Sequence, residues 1–251
     1  MSEAAVYQTL LWSWFGVAAV TVVALCFLSA PYGRHTRAGW GPTISARLGW
    51  FVMEAPAALT IAACFALRPP SSPTAWVMLA LWETHYLNRA LIFPLRMRAG
   101  AKPMPLAIAA MGATFNLVNG YLNGRWLTVF GHYDTAWLAD PRFLGGAAVM
   151  MIGLAVNLHS DAILRALRKP GETHYAIPTG GLYGLISCPN YFGEIVEWTG
   201  WAILTWSLAG TSFAVWTAAN LVPRAWTHHR WYRGRFADYP PARRAIVPFV
   251  L

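Results

Sequence analysis

Of 251 residues, 57% are hydrophobic and 12% charged, with 19 Lys and Arg against 10 Asp and Glu. Charge at half the roughly 25% of a soluble domain excludes an ordinary water-soluble fold and makes the bilayer the expected solvent. The net charge of +9 then reads as membrane sidedness and not as a nucleic-acid surface.

A spanning helix needs about 20 apolar residues, and the chain offers about seven candidate stretches. In order these are 10–30, 48–67, 75–94, 105–122, 144–158, 195–206 and 211–226. The first lacks a basic leader and a small-residue cleavage site, so it reads as a retained helix. Basic residues crowd alternate loops: Arg34, Arg37 and Arg47; Arg96, Arg98 and Lys102; Arg165, Arg168 and Lys169; then Arg224 through Arg244. The loops between them are nearly neutral. Since Lys and Arg collect on the cytoplasmic side, the expected fold is an all-α, polytopic protein with seven transmembrane helices, its N-terminus outside and its C-terminus cytoplasmic. Cys26, Cys64 and Cys188 lie in or near apolar segments without metal-ligand spacing and read as small buried hydrophobes.

Several polar residues fall where lipid does not tolerate them. Glu54 sits near the middle of the second stretch, where an ionised carboxylate costs on the order of 3 kcal/mol. A neutral Glu54 bonded to a neighbouring helix, or a functional acid able to donate a hydrogen bond, both satisfy that cost. In the third stretch Trp82, Tyr86 and Arg89 share a helical face, with His85 and Asn88 beside it. That stripe suits interhelical glue or an oxyanion-stabilising pair with a buried carboxyl equally well.

The C-terminal half carries three further stripes: Asn157, Asp161 and Arg168; Asn190, Glu194 and Glu197; and Arg224, His228 and Tyr232. Each alone is an ordinary helix end. Together they combine cations suited to phosphates with amides and carboxylates suited to a ribose or base. A phosphorylated dinucleotide fits that mixture, although neither GxGxxG nor a Walker A motif is present. No metal is expected, because His228 and His229 are adjacent and point apart on a helix, and no HExxH occurs.

At this point the chain resembles the steroid 5α-reductases. The segments that carry the likeness are Tyr32-Gly33-Arg34-His35, Glu54, His85-Tyr86 with Arg89, Asn157 to Asp161, Arg168 to Glu172, Tyr175 to Pro178 with Gly180-Gly181, Asn190 to Glu194 with Glu197-Trp198, and Arg224 to Tyr232 followed by Asp238-Tyr239-Pro240 and Arg243. The N-terminal part matches more loosely. Thr227 departs from the pattern, since relatives often show a histidine there. The resemblance implies NADPH as hydride donor and a 3-oxo-Δ4-steroid as acceptor. It also implies that Glu54 and Tyr86 hold the steroid C3 carbonyl. Asn157, Asp161, Arg168, Tyr175, Asn190, Glu194, Arg224, His228 and Tyr232 would line the cofactor site, with Trp198 near the nicotinamide. Residues 1–125 would then be mainly substrate-side helices and 143–251 mainly cofactor-binding.

Three alternatives stand beside this expectation. A membrane methyltransferase of the isoprenylcysteine carboxyl methyltransferase type would share the Pro-Asn-Tyr turn and a late Tyr-Pro-Arg pattern but use S-adenosylmethionine, for which a phosphate-binding guanidinium has no purpose. Related reductases acting on sterols, enoyl thioesters or polyprenols would share the reaction class. A non-enzymatic lipid-binding protein would bind without consuming NADPH. The expected partners are a lipophilic enone and membrane lipid, with no nucleic acid and no obligate protein. The expected location is a bacterial inner membrane or the endoplasmic reticulum, according to source.

Overall fold

The computed structural model describes residues 2–31, 35, 37–97, 101–167 and 175–251. Helices dominate it: α1 (Glu3–Phe27), α2 (Ala46–Leu67), α3 (Pro73–Leu87), α4 (Leu106–Arg125), α5 (Pro141–Ala166), α6 (Pro189–Thr205) and α7 (Leu208–Arg235). The sheet among the described residues is one antiparallel pair, β1 (Thr43–Ile44) on β2 (Met104–Pro105), with Thr43 opposite Pro105. Each expected hydrophobic stretch overlaps one of these helices, so the all-α expectation holds. Among the described residues, α1, α2 and α5 are long and apolar enough to cross a membrane.

The helices start where local chemistry satisfies their first N–H groups. Ser45 accepts from Leu48 N at 3.3 Å ahead of α2, and Ser72 accepts from Thr74 N at 3.2 Å ahead of α3, whose first residue is Pro73. Asp140 precedes α5 and takes the Arg142 backbone N–H at 2.8 Å together with its guanidinium; these bonds hold the Asp140 carboxyl down at about 2. After Leu87 the chain runs on through a π-helical turn, Asn88–Ile92, and a last short turn at Phe93–Leu95.

Contacts divide the chain into two compact units: the first holds residues 1–11, 30–144 and 207–209, the second 12–29, 145–206 and 210–251. Between lipid-facing helices van der Waals packing replaces the hydrophobic drive, so small residues let backbones approach. In the first unit α2 meets α4 this way. A Cβ on Gly120 would stand 3.1 Å from Ala57 O and 3.0 Å from Thr60 Cβ. Ala57, Ile61 and Phe65 of α2, Met78 and Trp82 of α3 and Leu122 of α4 are all buried. The Tyr7 hydroxyl donates to Leu122 O at 3.1 Å, and Arg125 pairs with Glu3.

In the second unit α5 and α6 cross at two glycine steps. Gly146 lies against Gly200, and Gly153 against Gly193; a Cβ on Gly153 would stand 2.6 Å from Gly193 O, and one on Gly193 2.6 Å from Asn157 N. Farther along, Trp198 packs on Phe213 of α7 with ring centroids 4.1 Å apart, and Trp216 donates to Trp14 O at 2.9 Å. Cys64 and Cys188 are buried as expected, but Cys26 is exposed. It lies near the end of α1, exposed among the described residues, on a surface suited to lipid.

Candidate active site

Two groups of polar side chains stand out, one in each unit. In the first, Glu54 of α2 and Tyr86 of α3 meet on one side chain, Asn116 of α4. The Asn116 amide Nδ2 donates to Glu54 Oε2 at 3.2 Å and to Met53 O at 2.7 Å, and its Oδ1 accepts from the Tyr86 hydroxyl at 3.2 Å. Pro56 of α2 lacks the N–H that would bond Val52 O, the carbonyl next to Met53. Tyr86 is fixed from its own helix as well: its ring lies 5.0 Å from that of Trp82, one turn back, and 5.0 Å edge-on from His85. The Trp82 indole donates to Ala57 O at 3.4 Å and so ties α3 to α2.

Just past Tyr86 the helix passes into the π-helical turn at Asn88. Arg89 is buried with its guanidinium 4.7 Å from the Trp50 ring and 4.8 Å from the Phe93 ring, a cation held between two aromatic faces.

In the second unit, Asn157 and Asp161 of α5 meet Asn190 at the start of α6. Asn157 Nδ2 donates to Asn190 O at 3.0 Å, and Asn190 Nδ2 donates to Asp161 Oδ1 at 3.2 Å. The glycine crossing makes this possible, since Gly193 faces the Asn157 backbone directly. Glu194 follows one turn after Asn190. A separate set forms on α7 around Tyr191, whose hydroxyl accepts from Arg224 Nη2 at 2.9 Å and lies 3.1 Å from His228 Nε2. The Arg224 guanidinium also lies 5.0 Å from the Tyr191 ring.

Tyr232, on the same helix, stacks on Tyr239 with centroids 5.4 Å apart and planes 10° apart. Tyr175 meets Trp231 edge-on at 5.0 Å. The structure thus joins Asn157, Asp161 and Asn190 in one hydrogen-bonded cluster and Arg224 and His228 in another, while Tyr175, Trp198 and Tyr232 stand in aromatic packing. Arg168 and the run to His174, like residues 32–34 of the basic motif, lie outside the described residues.

The C-terminal tail is strapped beneath this unit. Arg244 N donates to Leu185 O at 2.9 Å and Ser187 N to Arg244 O at 2.8 Å, a short parallel pairing. Ser187 Oγ is its hub, 2.6 Å from His229 Nδ1 and 2.6 Å from the Tyr239 hydroxyl. Burial, with Arg233 and Arg244 nearby, pushes the His229 imidazole below its ordinary value. Arg243 is buried beside it, its guanidinium 5.2 Å from the Tyr239 ring, and its Nε and Nη1 meet no hydrogen-bond partner among the described residues.

Asn116, Tyr191 and Arg243 are absent from the site expected from sequence. Asn116 belongs to a buried amide series with Asn119 and Asn123 on α4, spaced to share one face, and that spacing was the available signal. Tyr191 adjoins Asn190 in the turn already singled out.

These features define an all-helical protein with a buried polar cluster in each of its two units. Comparison with known proteins supplies the family. The family model described as 3-oxo-5-alpha-steroid 4-dehydrogenase matches residues 102–251. A steroid 5-alpha-reductase DET2 of Gossypium hirsutum is 42% identical over 99% of both chains. A 3-oxo-5-alpha-steroid 4-dehydrogenase 1 of Bos taurus is 45% identical over 92% of both, and that of Homo sapiens is 44% identical over 87% of this chain and 85% of its own. The chain belongs to the 3-oxo-5-alpha-steroid 4-dehydrogenase family, oxidoreductases acting on CH–CH bonds. That membership sets the methyltransferase and non-enzymatic alternatives aside.

Proposed function

We propose that this protein reduces the Δ4 double bond of 3-oxo-Δ4-steroids of the testosterone and progesterone kind to 5α-dihydrosteroids, with NADPH as reductant. The observation that carries this is the meeting of Glu54 and Tyr86 on Asn116 within apolar helices, since an acid and a phenol side by side suit the oxygen of a ketone. Bound NADPH supplies the hydride that reaches C5. As it does, negative charge grows on the C3 oxygen as an enolate, and the C4 carbon then takes a proton to restore the ketone. Neutral Glu54 and the Tyr86 hydroxyl donate to that oxygen, an effect worth roughly 3 to 4 kcal/mol for one such donor in a dry site.

The dinucleotide is assigned to the second unit, where the donor set fits it. Asn157, Asp161, Asn190 and Glu194 suit a ribose or base, and Arg224, His228 and Arg168 suit phosphates. Arg243 adds a buried guanidinium whose Nε and Nη1, without a hydrogen-bond partner among the described residues, suit an anion. Tyr175, Trp198 and Tyr232 complete the aromatic walls. Residues 1–125 thus serve mainly the steroid and 143–251 mainly the cofactor. The topology that suits these roles is seven membrane spans with the C-terminus cytoplasmic, which lets an apolar steroid arrive from lipid and the charged cofactor from water.

Glu54→Gln in the detergent-solubilised protein tests the assignment. Turnover of testosterone is expected to fall by about 100-fold or more, while NADPH binding, followed by tryptophan fluorescence, stays as in the parent. Near-normal turnover would remove Glu54 from the mechanism.

A further inference from the structure

Asn116 is 3% exposed and bonds to both members of the ketone-binding pair. Its orientation is fixed by chemistry: Met53 O, 2.7 Å away, can only accept, so the amide nitrogen must face it and the amide oxygen must face Tyr86. Two consequences follow for the protons: Tyr86 donates its hydroxyl proton to Asn116 Oδ1, and Glu54 Oε2 accepts an amide N–H.

We propose that Asn116 is a positioning residue for the reduction, orienting Glu54 through its Oε2 and holding the Tyr86 proton on a weak, neutral acceptor. It rests on the assignment of Glu54 and Tyr86 as the partners of the ketone. An amide oxygen and a ground-state ketone are comparable acceptors, so Tyr86 gains little by turning toward the substrate. The enolate oxygen is a far stronger acceptor and draws the hydroxyl across as its charge grows. The resulting hydrogen bond is strongest in the transition state, the condition under which binding energy speeds the chemical step and does not merely tighten substrate binding. An apolar residue at 116 would leave Glu54 and Tyr86 free to bond each other, spending both donors before the ketone arrives.

A double-mutant cycle tests this. Asn116→Leu, Tyr86→Phe, Glu54→Gln and the two double variants with Asn116→Leu are purified in detergent and assayed with NADPH and testosterone, with NADPH binding as the control for folding. Asn116→Leu is expected to lower kcat by about 30-fold while the KM values for steroid and NADPH move by less than about 3-fold. In the Tyr86→Phe background the same substitution should cost less than about 3-fold, because the hydroxyl it positions is gone. An undiminished loss in that background would overturn the inference and leave Asn116 as packing. Should Asn116→Leu fail to bind NADPH, Asn116→Asp serves in its place, since it keeps the acceptor for Tyr86 and loses the N–H donors. Its cost should shrink beside Glu54→Gln, whose amide can donate to the new carboxyl, and an equal cost in both backgrounds would overturn the inference. If neither Glu54→Gln nor Tyr86→Phe lowers turnover, the assignment of the ketone partners fails and the role of Asn116 falls with it. If both lower it and Asn116→Leu is additive, only the role of Asn116 is lost.

Discussion

Tyr191 shows how one phenol can organise two charged partners. Its hydroxyl takes a hydrogen bond from Arg224 while its ring lies against the same guanidinium, and His228 stands on the other side of the oxygen. A planar cation fixed by both bond and ring is ready for a phosphate without further ordering. Arg224→Ala is therefore expected to raise the NADPH dissociation constant by about 10-fold or more, with a smaller loss of kcat at saturating cofactor; fluorescence titration checks the first and steady-state kinetics the second. Tyr191→Phe removes only the hydroxyl and should weaken NADPH binding by a smaller factor, a few-fold. Glu54 and Tyr86 were legible in the sequence because a carboxyl and a phenol in apolar runs violate the rule of the solvent. Asn116 was not, because one amide among three on a helix announces no partner until the facing helices are in place. Nor was the π-helical turn after Leu87, which leaves no mark in hydrophobic spacing.

The crossing of α5 and α6 depends on side chains that are missing. Gly146 and Gly153 on one helix and Gly193 and Gly200 on the other are each seven residues apart, two turns, so that two backbone contacts fall in register. Gly193→Ala pushes a methyl into Asn157 N and Gly153 O, which are main-chain atoms without freedom to retreat. The expected cost is about 1–3 kcal/mol, seen as a lower thermal midpoint, together with a raised KM for NADPH as Asn157 and Asn190 move apart. A variant with unchanged midpoint and KM would show that the helices stand farther apart than described. The seven-residue glycine spacing was present in the sequence, but without knowing which helices pair, small residues at that spacing carry no address. The tail pairing is a second such element. Because His229 has its proton affinity lowered on folding, the unfolded chain binds the extra proton more readily. The latch is therefore fully supported above the ordinary histidine value of about 6.5 and loses support as pH falls below it. Protection factors of residues 240–251, exchange corrected for its intrinsic pH dependence, should fall between pH 7.5 and 5, and His229→Gln should flatten that fall. Protection factors that do not vary with pH would separate His229 from the latch.

For the whole molecule, composition and hydrophobic runs announced an all-helical membrane protein, and the helices formed where the runs lie. The number of crossings is harder to read from helix length and apolarity, which single out α1, α2 and α5 among the described residues. The other helices are interrupted or polar: α3 gives way to the π turn after Leu87, α4 carries buried asparagines, and α7 ends in the Arg224 to Arg235 stretch. The proposed dinucleotide site was legible only as residue types, because its cluster is assembled by a helix crossing and not by a contiguous motif. In the proposed mechanism one unit presents an acid and a phenol to a ketone and the other presents amides and guanidinium groups to a reduced dinucleotide. The most direct test follows nicotinamide absorbance and steroid mass together in the purified protein given NADPH and testosterone. The account predicts loss of NADPH matched mole for mole by 5α-dihydrotestosterone, with Glu54→Gln abolishing both; stable NADPH and unchanged testosterone in a protein that binds both would contradict it.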